Sequence, residues 1–289
     1  MESSPVRNRL MLAGAALLFS TGGAAIKAAT LTAWQVAAFR SGVAAVFLLV
    51  AMPEARRGWS WRIVPPATAY AATLVLFVLA NRLTTAANAI FLQDTAPLYV
   101  AVLAPWLLRE PIRRSDVAYI LAVAAGMSLF FVEAQAAAAT APDPSRGNLV
   151  AFASGITWAL TVTGLRWLGR SGTGDAAMAT VAAGNVIGAL VALPMALPVA
   201  SVSSANATVI LYLGVVQIGL AYVLVTRAIR HVPAFEATTV LLLEPALNPV
   251  WTWLVHGEKP GALPLAGGAV ILAATLLNTW HQARAPRVV

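Results

Sequence analysis

The sequence predicts an all-α polytopic membrane protein in which ten transmembrane helices form two inverted five-helix repeats. Three observations favour this fold class. Of the 289 residues, 60% are apolar and only 10% are charged, whereas soluble domains carry roughly 25% charged residues. The apolar residues gather in stretches long enough to cross a hydrocarbon core of about 30 Å. One segment, residues 91–111, recurs in similar form at residues 241–260.

The recurring segment reads FLQDTAPLYVAVLAPWLLREP in its first copy and LLLEPALNPVWTWLVHGEKP in its second. Aligning Pro97 with Pro245 also aligns Glu110 with Glu258, at an offset of 148 residues. An acidic residue lies near the proline in both copies. Similarity at a spacing of about half the chain length indicates an internal duplication.

Ten apolar stretches of roughly 17 to 24 residues follow one another, and each is long enough for a transmembrane helix. Their predicted limits are 9–28, 32–52, 62–82, 86–107, 115–134, 147–169, 175–198, 206–229, 234–256 and 262–282. The first shows no clear cleavage site, so we interpret it as a retained span and not as a signal peptide. The predicted division is a first repeat over 1–134, a periplasmic connector over 135–146 and a second repeat over 147–289.

The basic residues are distributed unevenly between the two sides of the predicted membrane. With the N-terminus inside, 14 arginines lie on the inner side, and only Lys27, Arg82, Arg146 and Lys259 lie on the outer side. The positive-inside rule therefore places both termini in the cytoplasm. Because five spans per repeat is an odd number, we expect the second repeat to enter the membrane inverted. Glu110 is then expected at the cytoplasmic face and Glu258 at the outer face.

Inverted repeats are typical of secondary transporters, whose substrate site lies near the bilayer midplane at the repeat interface. The net charge of +8 comes mainly from loop arginines and is explained by membrane orientation, not by nucleic-acid binding. The chain has no cysteine and no P-loop, so we expect neither thiol chemistry nor ATP hydrolysis. We also expect no cofactor and no metal site, because the three histidines lie at different span ends. A channel and an integral-membrane enzyme that modifies lipids are the alternatives from other classes.

These features resemble those of the drug/metabolite transporter superfamily, EamA type. The residues that carry the resemblance are Pro97, Glu110-Pro111, Gly126, Pro245, Glu258-Lys259-Pro260 and Gly267-Gly268, together with Phe39-Arg40 and Trp158-Ala159. The resemblance covers essentially the whole chain and is closest to the YddG-type exporters. It implies export of aromatic and other neutral amino acids across the bacterial inner membrane, through a central cavity, by a functional monomer. Span seven departs from the symmetry, since it has no arginine equivalent to Arg40.

Charged side chains within the spans are the first candidates for function, because each costs on the order of 3 kcal/mol to insert at the bilayer centre. Glu244 lies about 15 Å into span nine, one turn before Asn248. We expect it to bind a substrate ammonium group or to carry a coupling proton, with helix packing as the alternative. Asp94 is expected to form a structural ion pair with Arg40, which alternatively binds a substrate carboxylate. Efflux of cationic drugs is the second transport hypothesis, and it requires Glu244 or Asp94 to face the cavity.

Uncharged residues complete the predicted site. Pro97, Pro245 and Pro249 each free a backbone carbonyl and predict kinks in spans four and nine. The candidates for the cavity lining are Tyr70, Asn81, Gln93, Tyr99, Trp158, Thr161, Asn185, Gln217 and Tyr222. Packing between helices is the alternative role for each of them. Trp158 is the preferred cavity aromatic, because it lies too deep in span six for the aromatic belt at the membrane surface. We expect the GxxxG at Gly184 and Gly188 to pack within the chain.

Overall fold

The computed structural model describes residues 5–107, 114–132, 136–170, 176–199, 201–228 and 240–284. The helices of the first half are α1 (Pro5–Ser20), α2 (Gly22–Ala28), α3 (Ala33–Ala51), α4 (Val64–Leu83), α5 (Ala86–Gln93), α6 (Ala96–Leu107) and α7 (Arg114–Val132). Those of the second half are α8 (Pro144–Arg170), α9 (Ala176–Ala196), α10 (Ser204–Leu211), α11 (Ala221–Ala228), α12 (Leu243–His256) and α13 (Ala262–Arg284). A π-helix, Tyr212–Leu220, joins α10 to α11.

Six helical stretches within the described ranges are long and apolar enough to cross a membrane. They are Val6–Ala28, Ala33–Ala51, Trp61–Leu83, Pro144–Leu168, Ala176–Ala196 and Ser204–Ala228, and they coincide with predicted spans one to three and six to eight. Two shorter apolar helices, Val117–Val132 and Ala262–Asn278, lie within predicted spans five and ten. The protein is therefore an all-helical, multi-pass membrane protein. The count of ten spans stays a prediction, since spans four and nine are interrupted or border residues outside the described ranges.

Local sequence signals explain where several helices begin and end. Thr32 and Gln35 form a capping box at the start of α3, in which each side chain accepts a hydrogen bond from the backbone amide of the other. At the starts of α5 and α10, the hydroxyl groups of Thr85 and Ser203 each accept a hydrogen bond from the backbone amide three residues later. These contacts satisfy amides that have no partner within the helix. At the other end, Gly257 closes α12 with a φ of 66°, a conformation that favours glycine.

Helix α4 lies at the interface between the two halves, where it packs against α8 and α9, and α3 also packs against α9. Glycines allow this close approach. A Cβ atom on Gly184 would lie 2.6 Å from the side chain of Tyr70 and 2.9 Å from the carbonyl oxygen of Ala67. Gly188 lies on α9 one turn after Gly184, and a Cβ on it would lie 3.8 Å from Ala71 of α4, an ordinary contact. The GxxxG pair therefore packs within the chain, as small residues do at close helix contacts.

The last helices of the two halves, α7 and α13, also pack against each other. A Cβ on Gly267 would lie 2.5 Å from the carbonyl oxygen of Gly126, and one on Gly126 would lie 3.0 Å from the carbonyl oxygen of Gly267. The two helices thus meet backbone to backbone. Both glycines belong to the residues that carry the family resemblance, and the contact gives them a structural role.

Candidate functional site

A cavity of about 340 Å³ lies between the two halves of the chain. This volume falls at the lower end of the range for small-molecule sites, about 300–1,000 Å³. Helices from both halves contribute to its walls, which are mostly apolar and aromatic. The predicted site residues that line it are Arg40, Tyr70, Gln93, Asp94, Pro97, Trp158, Gln217, Tyr222, Glu244 and Pro245.

One wall of the cavity is an interruption in predicted span four. Residues 94 and 95 separate α5 from α6, and Pro97 has no N–H to offer the carbonyl of Gln93. A Cβ on Gly155 of α8 would lie 2.8 Å from the carbonyl oxygen of Leu92 and 3.2 Å from that of Gln93. Irregular backbone at membrane depth is tolerated where it is buried in protein or lines a cavity. This interruption meets both conditions.

The second half is interrupted at the equivalent position. Helix α12 begins directly after a turn at Leu242, and the offset of 148 residues places Leu242 opposite Asp94. The same offset places Pro245 opposite Pro97, and both prolines line the cavity. The duplicated segments therefore share the helix interruption but not the position of the acidic residue, since Glu244 lies two positions beyond Leu242.

The carboxyl groups of Asp94 and Glu244 both face the cavity, each from the interrupted helix of a different half. They line the same cavity and lie near each other. Two negative charges in a largely apolar cavity repel each other. The arrangement is therefore favourable for a positively charged group bound between them.

Arg40 supplies the positive charge of the cavity and is only 1% exposed. Its Nη2 donates a hydrogen bond to the carbonyl oxygen of Leu74 at 2.8 Å, whereas its Nε has no hydrogen-bond partner. The predicted ion pair with Asp94 is not present at contact distance, although both residues line the same cavity. Arg40 instead lies near Tyr70 and Tyr222, which line the same cavity.

Aromatic side chains form a continuous wall beside Arg40. The ring of Tyr70 lies 5.8 Å from that of Tyr222 in an edge-to-face arrangement and 6.2 Å from that of Trp158. Tyr222 also meets Phe19 edge-to-face, with ring centroids 5.3 Å apart. Such pairs prefer these geometries. The wall presents aromatic surface to the same cavity that Arg40 lines.

Six predicted residues lie outside the cavity lining, namely Asn81, Tyr99, Thr161, Asn185, Asn248 and Pro249. The side chains of Asn81, Thr161 and Asn185 donate to backbone carbonyl oxygens four residues earlier in their own helices, at 2.8 to 2.9 Å. Tyr99 packs edge-on against Phe152, with ring centroids 5.6 Å apart. These contacts agree with the packing alternative for those side chains.

Part of the lining was not predicted. It consists of Phe19, Thr73, Leu74, Phe77, Ala96, Ile218, Val225, Leu241, Leu242, Ile271, Leu272 and Thr275. Most of these residues are apolar, and an apolar residue in a membrane span gives no sign of whether it faces lipid or a cavity. The helical period offers one signal that was missed. Thr73 and Phe77 lie three and seven residues after Tyr70, so they share its helix face.

The motif residue Glu258 lies outside the cavity, in a buried ion pair. Its Oε2 is 2.9 Å from Lys27 Nζ, and both side chains are about 3% exposed. Its Oε1 accepts a hydrogen bond from the backbone amide of Ala86 at 2.7 Å. Lys27 also donates to the carbonyl oxygens of Thr84, at 2.9 Å, and Thr140. The charge distribution had placed both ionic residues on one side of the membrane, but no sequence signal paired them.

The other motif glutamate, Glu110, lies outside the described residues. Within those residues there is no group of three or more His, Cys, Asp or Glu side chains that is arranged to hold a metal ion. The site therefore consists of a cavity with three ionisable groups and an aromatic wall. A separate buried ion pair lies beyond the cavity.

Comparison with known proteins agrees with this architecture. The model of the EamA-like transporter family matches residues 9–132 and 145–280, one match in each half of the chain. Comparison with curated proteins gives no match. Among solved structures, a protein described only as "Crystal structure of protein" is similar over 96% of this chain and 99% of its own, with a TM-score of 0.64. Its sequence identity is 18%, so this likeness shows the fold alone.

Proposed function

Because the chain belongs to the EamA-like transporter family, we propose that it is a secondary transporter of aromatic and other neutral amino acids. The family makes the protein a membrane transporter of small molecules rather than an enzyme. In the proposal, ten helices form two inverted five-helix halves with both termini in the cytoplasm of a bacterium. The two halves expose the cavity alternately to the two sides of the inner membrane, and the chain exports its substrate as a monomer.

The observation that supports this substrate class is the presence of both signs of charge in one cavity. Arg40 lines the cavity together with the carboxyl groups of Asp94 and Glu244. A neutral amino acid carries one carboxylate and one ammonium group. The guanidinium group suits the carboxylate, because it offers charge-assisted hydrogen bonds, and its Nε is without a protein partner. The two acids suit the ammonium group.

The aromatic wall supports the preference for aromatic side chains. Tyr70 and Trp158 lie beside Arg40 and present flat apolar surface to the cavity. A substrate held at its two charged groups would place its side chain against this wall. Small-molecule sites combine a largely apolar lining with a few oriented polar groups in the same way.

The second candidate function is the efflux of organic cations, in exchange for protons. It is favoured by the balance of charges, since two carboxyl groups face one guanidinium group in the cavity. A substrate with an amine but no carboxylate would satisfy the acids and make no use of Arg40. The two candidates therefore differ in whether transport depends on this arginine.

Counterflow in proteoliposomes distinguishes them. Labelled phenylalanine is compared with phenethylamine, which has the same ring and amine but lacks the carboxylate, with and without an imposed pH gradient. The amino-acid proposal expects saturable phenylalanine counterflow that is lost in Arg40→Gln and kept in Arg62→Gln, a matched change at an exposed arginine. Counterflow of phenethylamine alone, driven by the pH gradient and retained in Arg40→Gln, would establish the second candidate. Failure of both substrates would contradict both proposals.

A further inference from the structure

Three segments of the chain, namely α1 with α2, α4 and α12, carry the same succession of layers at one end of the cavity. The first layer lines the cavity, the second lies about one turn further along each helix, and the third lies beyond that. The first layer consists of Phe19, Phe77 and Glu244. The second consists of Gly23, Asn81 and Asn248, and the third of Lys27, Thr84 and Glu258. At 1.5 Å per residue, Lys27 lies about 12 Å along the chain axis from Phe19 and Thr84 about 10 Å from Phe77. Glu258 follows the end of α12 and reaches the same layer by its contact with Lys27. We call this end of the cavity the Lys27 end.

The second layer is tightly packed and incompletely hydrogen-bonded. A Cβ on Gly23 would lie 2.6 Å from Asn248 Oδ1 and 3.1 Å from Asn81 Oδ1. Both asparagines are fully buried. The Oδ1 of Asn81 and both polar side-chain atoms of Asn248 have no hydrogen-bond partner. Buried polar groups without partners are unfavourable, so this layer gains hydrogen bonds when water or a polar substrate reaches it.

The third layer closes the Lys27 end. We call the Lys27–Glu258 ion pair and its bonds to Thr84 and Ala86 the latch. Lys27 Nζ lies 2.9 Å from Glu258 Oε2 and 2.9 Å from the Thr84 carbonyl oxygen, and Ala86 donates its amide proton to Glu258 Oε1 at 2.7 Å. Glu258 belongs to the second half and the other three residues to the first. The latch therefore ties the two halves together where the cavity ends.

A buried ion pair suits a barrier that must open. The loss of hydration offsets most of the attraction between the charges while the pair is dry, and each charge regains its hydration when the pair separates in water. The net cost of separating the pair is therefore smaller than its electrostatic attraction alone. Asn81 and Asn248, which lie beneath the latch, also favour the open state, because their side chains gain hydrogen bonds when water reaches them.

We propose that the Lys27–Glu258 latch is the outer gate of the transport pathway, and that Asn81 and Asn248 line the exit that it uncovers. The gate rests on the proposed function, because only a transporter needs to open this end. Its outer location rests on the distribution of basic residues, which puts Lys27 and Lys259 on the side that carries few of them. The asparagine amides then bind the charged groups of the substrate as it leaves.

The test uses the cysteine-free, full-length chain in intact cells. Asn248→Cys introduces one thiol beneath the latch, and a membrane-impermeant maleimide added outside the cells reports its exposure. Lys27→Met and Glu258→Gln each remove one charge of the latch and should raise the labelling rate several-fold. Lys259→Met removes an exposed charge next to the latch and should leave the rate unchanged. Equal labelling in all four backgrounds would overturn the gate.

Labelling does not depend on the identity of the substrate, so the experiment tests the gate independently of the proposed amino-acid substrate. Raised labelling without amino-acid counterflow overturns the proposed substrate and keeps the gate. If the charge-neutral variants do not insert stably, the double variant Lys27→Cys/Glu258→Cys replaces them. Cross-linking its thiols should abolish counterflow, and reduction should restore it. Counterflow that continues in the cross-linked protein overturns the gate, whereas a reduced protein without counterflow overturns the proposed function.

Discussion

The carbonyl oxygen of Leu92 lies against Gly155, at a position where a Cβ would approach it to 2.8 Å. This contact brings α8 against the interruption between α5 and α6, and it does so where the backbone borders the cavity. The two halves of the chain thus meet through main-chain atoms at the site itself. A side chain at residue 155 would separate them.

Gly155→Ala should therefore lower both stability and transport. Overpacking in a tight interior typically costs about 1–3 kcal/mol, and the displaced junction moves Asp94 relative to the cavity. Gly42→Ala is the matched control, because its added Cβ meets only Ala189 at an ordinary 3.8 Å and the change improves helix propensity. Thermal unfolding in detergent and counterflow rates measure the two effects. Equal behaviour of the two variants would contradict the tight contact.

Glu244→Gln should impair transport while leaving expression intact. If its carboxylate binds the substrate ammonium, the neutral amide loses a charge-assisted hydrogen bond of about 1.5–3 kcal/mol. This loss corresponds to an increase of about 10- to 150-fold in the half-saturating concentration. Counterflow over a range of substrate concentrations measures the change. The control is Asp143→Asn in the connector outside the cavity, where the amide oxygen can still accept the hydrogen bond from the Arg146 amide at the start of α8. Unchanged kinetics together with an unchanged pH dependence would remove Glu244 from the mechanism.

Exchanging Arg40 and Asp94 should not rescue the loss caused by Arg40→Ala. The guanidinium group donates to the Leu74 carbonyl oxygen and makes no ion pair with Asp94, so the exchanged charges have no contact to restore. Folded yield after detergent extraction is the measurement, with Arg40→Lys as the variant that keeps the charge. Recovery in the exchanged double variant would show that the two residues pair in another state of the transport cycle.

Single cysteines near the two motif glutamates should be labelled from opposite sides of the membrane. Glu110→Cys is expected to react from the cytoplasmic side and Lys259→Cys from the outside, because five spans separate equivalent positions of the two halves. Lys259 is exposed, so its replacement does not disturb the latch. Impermeant maleimide labelling of intact cells and of inverted vesicles measures the side. Labelling of both from one side would refute the inverted arrangement.

The sequence predicted the features that depend on local composition. The apolar stretches located six membrane-spanning helices, and the aligned prolines Pro97 and Pro245 located two places where helices are interrupted, because hydropathy and the missing proline N–H are properties of single segments. What it could not supply is the rotation of each helix about its own axis. That rotation decides whether Arg40 meets Asp94 or the carbonyl of Leu74, and whether Asn81 faces the cavity or packs beyond it.

Contacts between segments that are distant in the chain could not be predicted from the sequence either. Lys27 and Glu258 are 231 residues apart in the chain, and their pairing depends on how α2 and the turn after α12 come together in space. Each residue gave a signal by itself, Lys27 as one of two lysines and Glu258 as a repeated motif residue. A partner on another helix can be assigned only when the packing of the whole bundle is known.

Helix α5 links the two functional regions. It is eight residues long, a rod of about 12 Å, and its residues from Ala86 to Leu92 are all buried. The amide of Ala86 at one end is held by Glu258, and Asp94 follows the other end at the cavity. Helix α5 therefore connects the ion pair to the cavity through eight consecutive helical residues. If the proposed gate opens, a displacement of Ala86 as the ion pair separates is transmitted along α5 to Asp94 at the cavity, so that gate opening and substrate release are coupled.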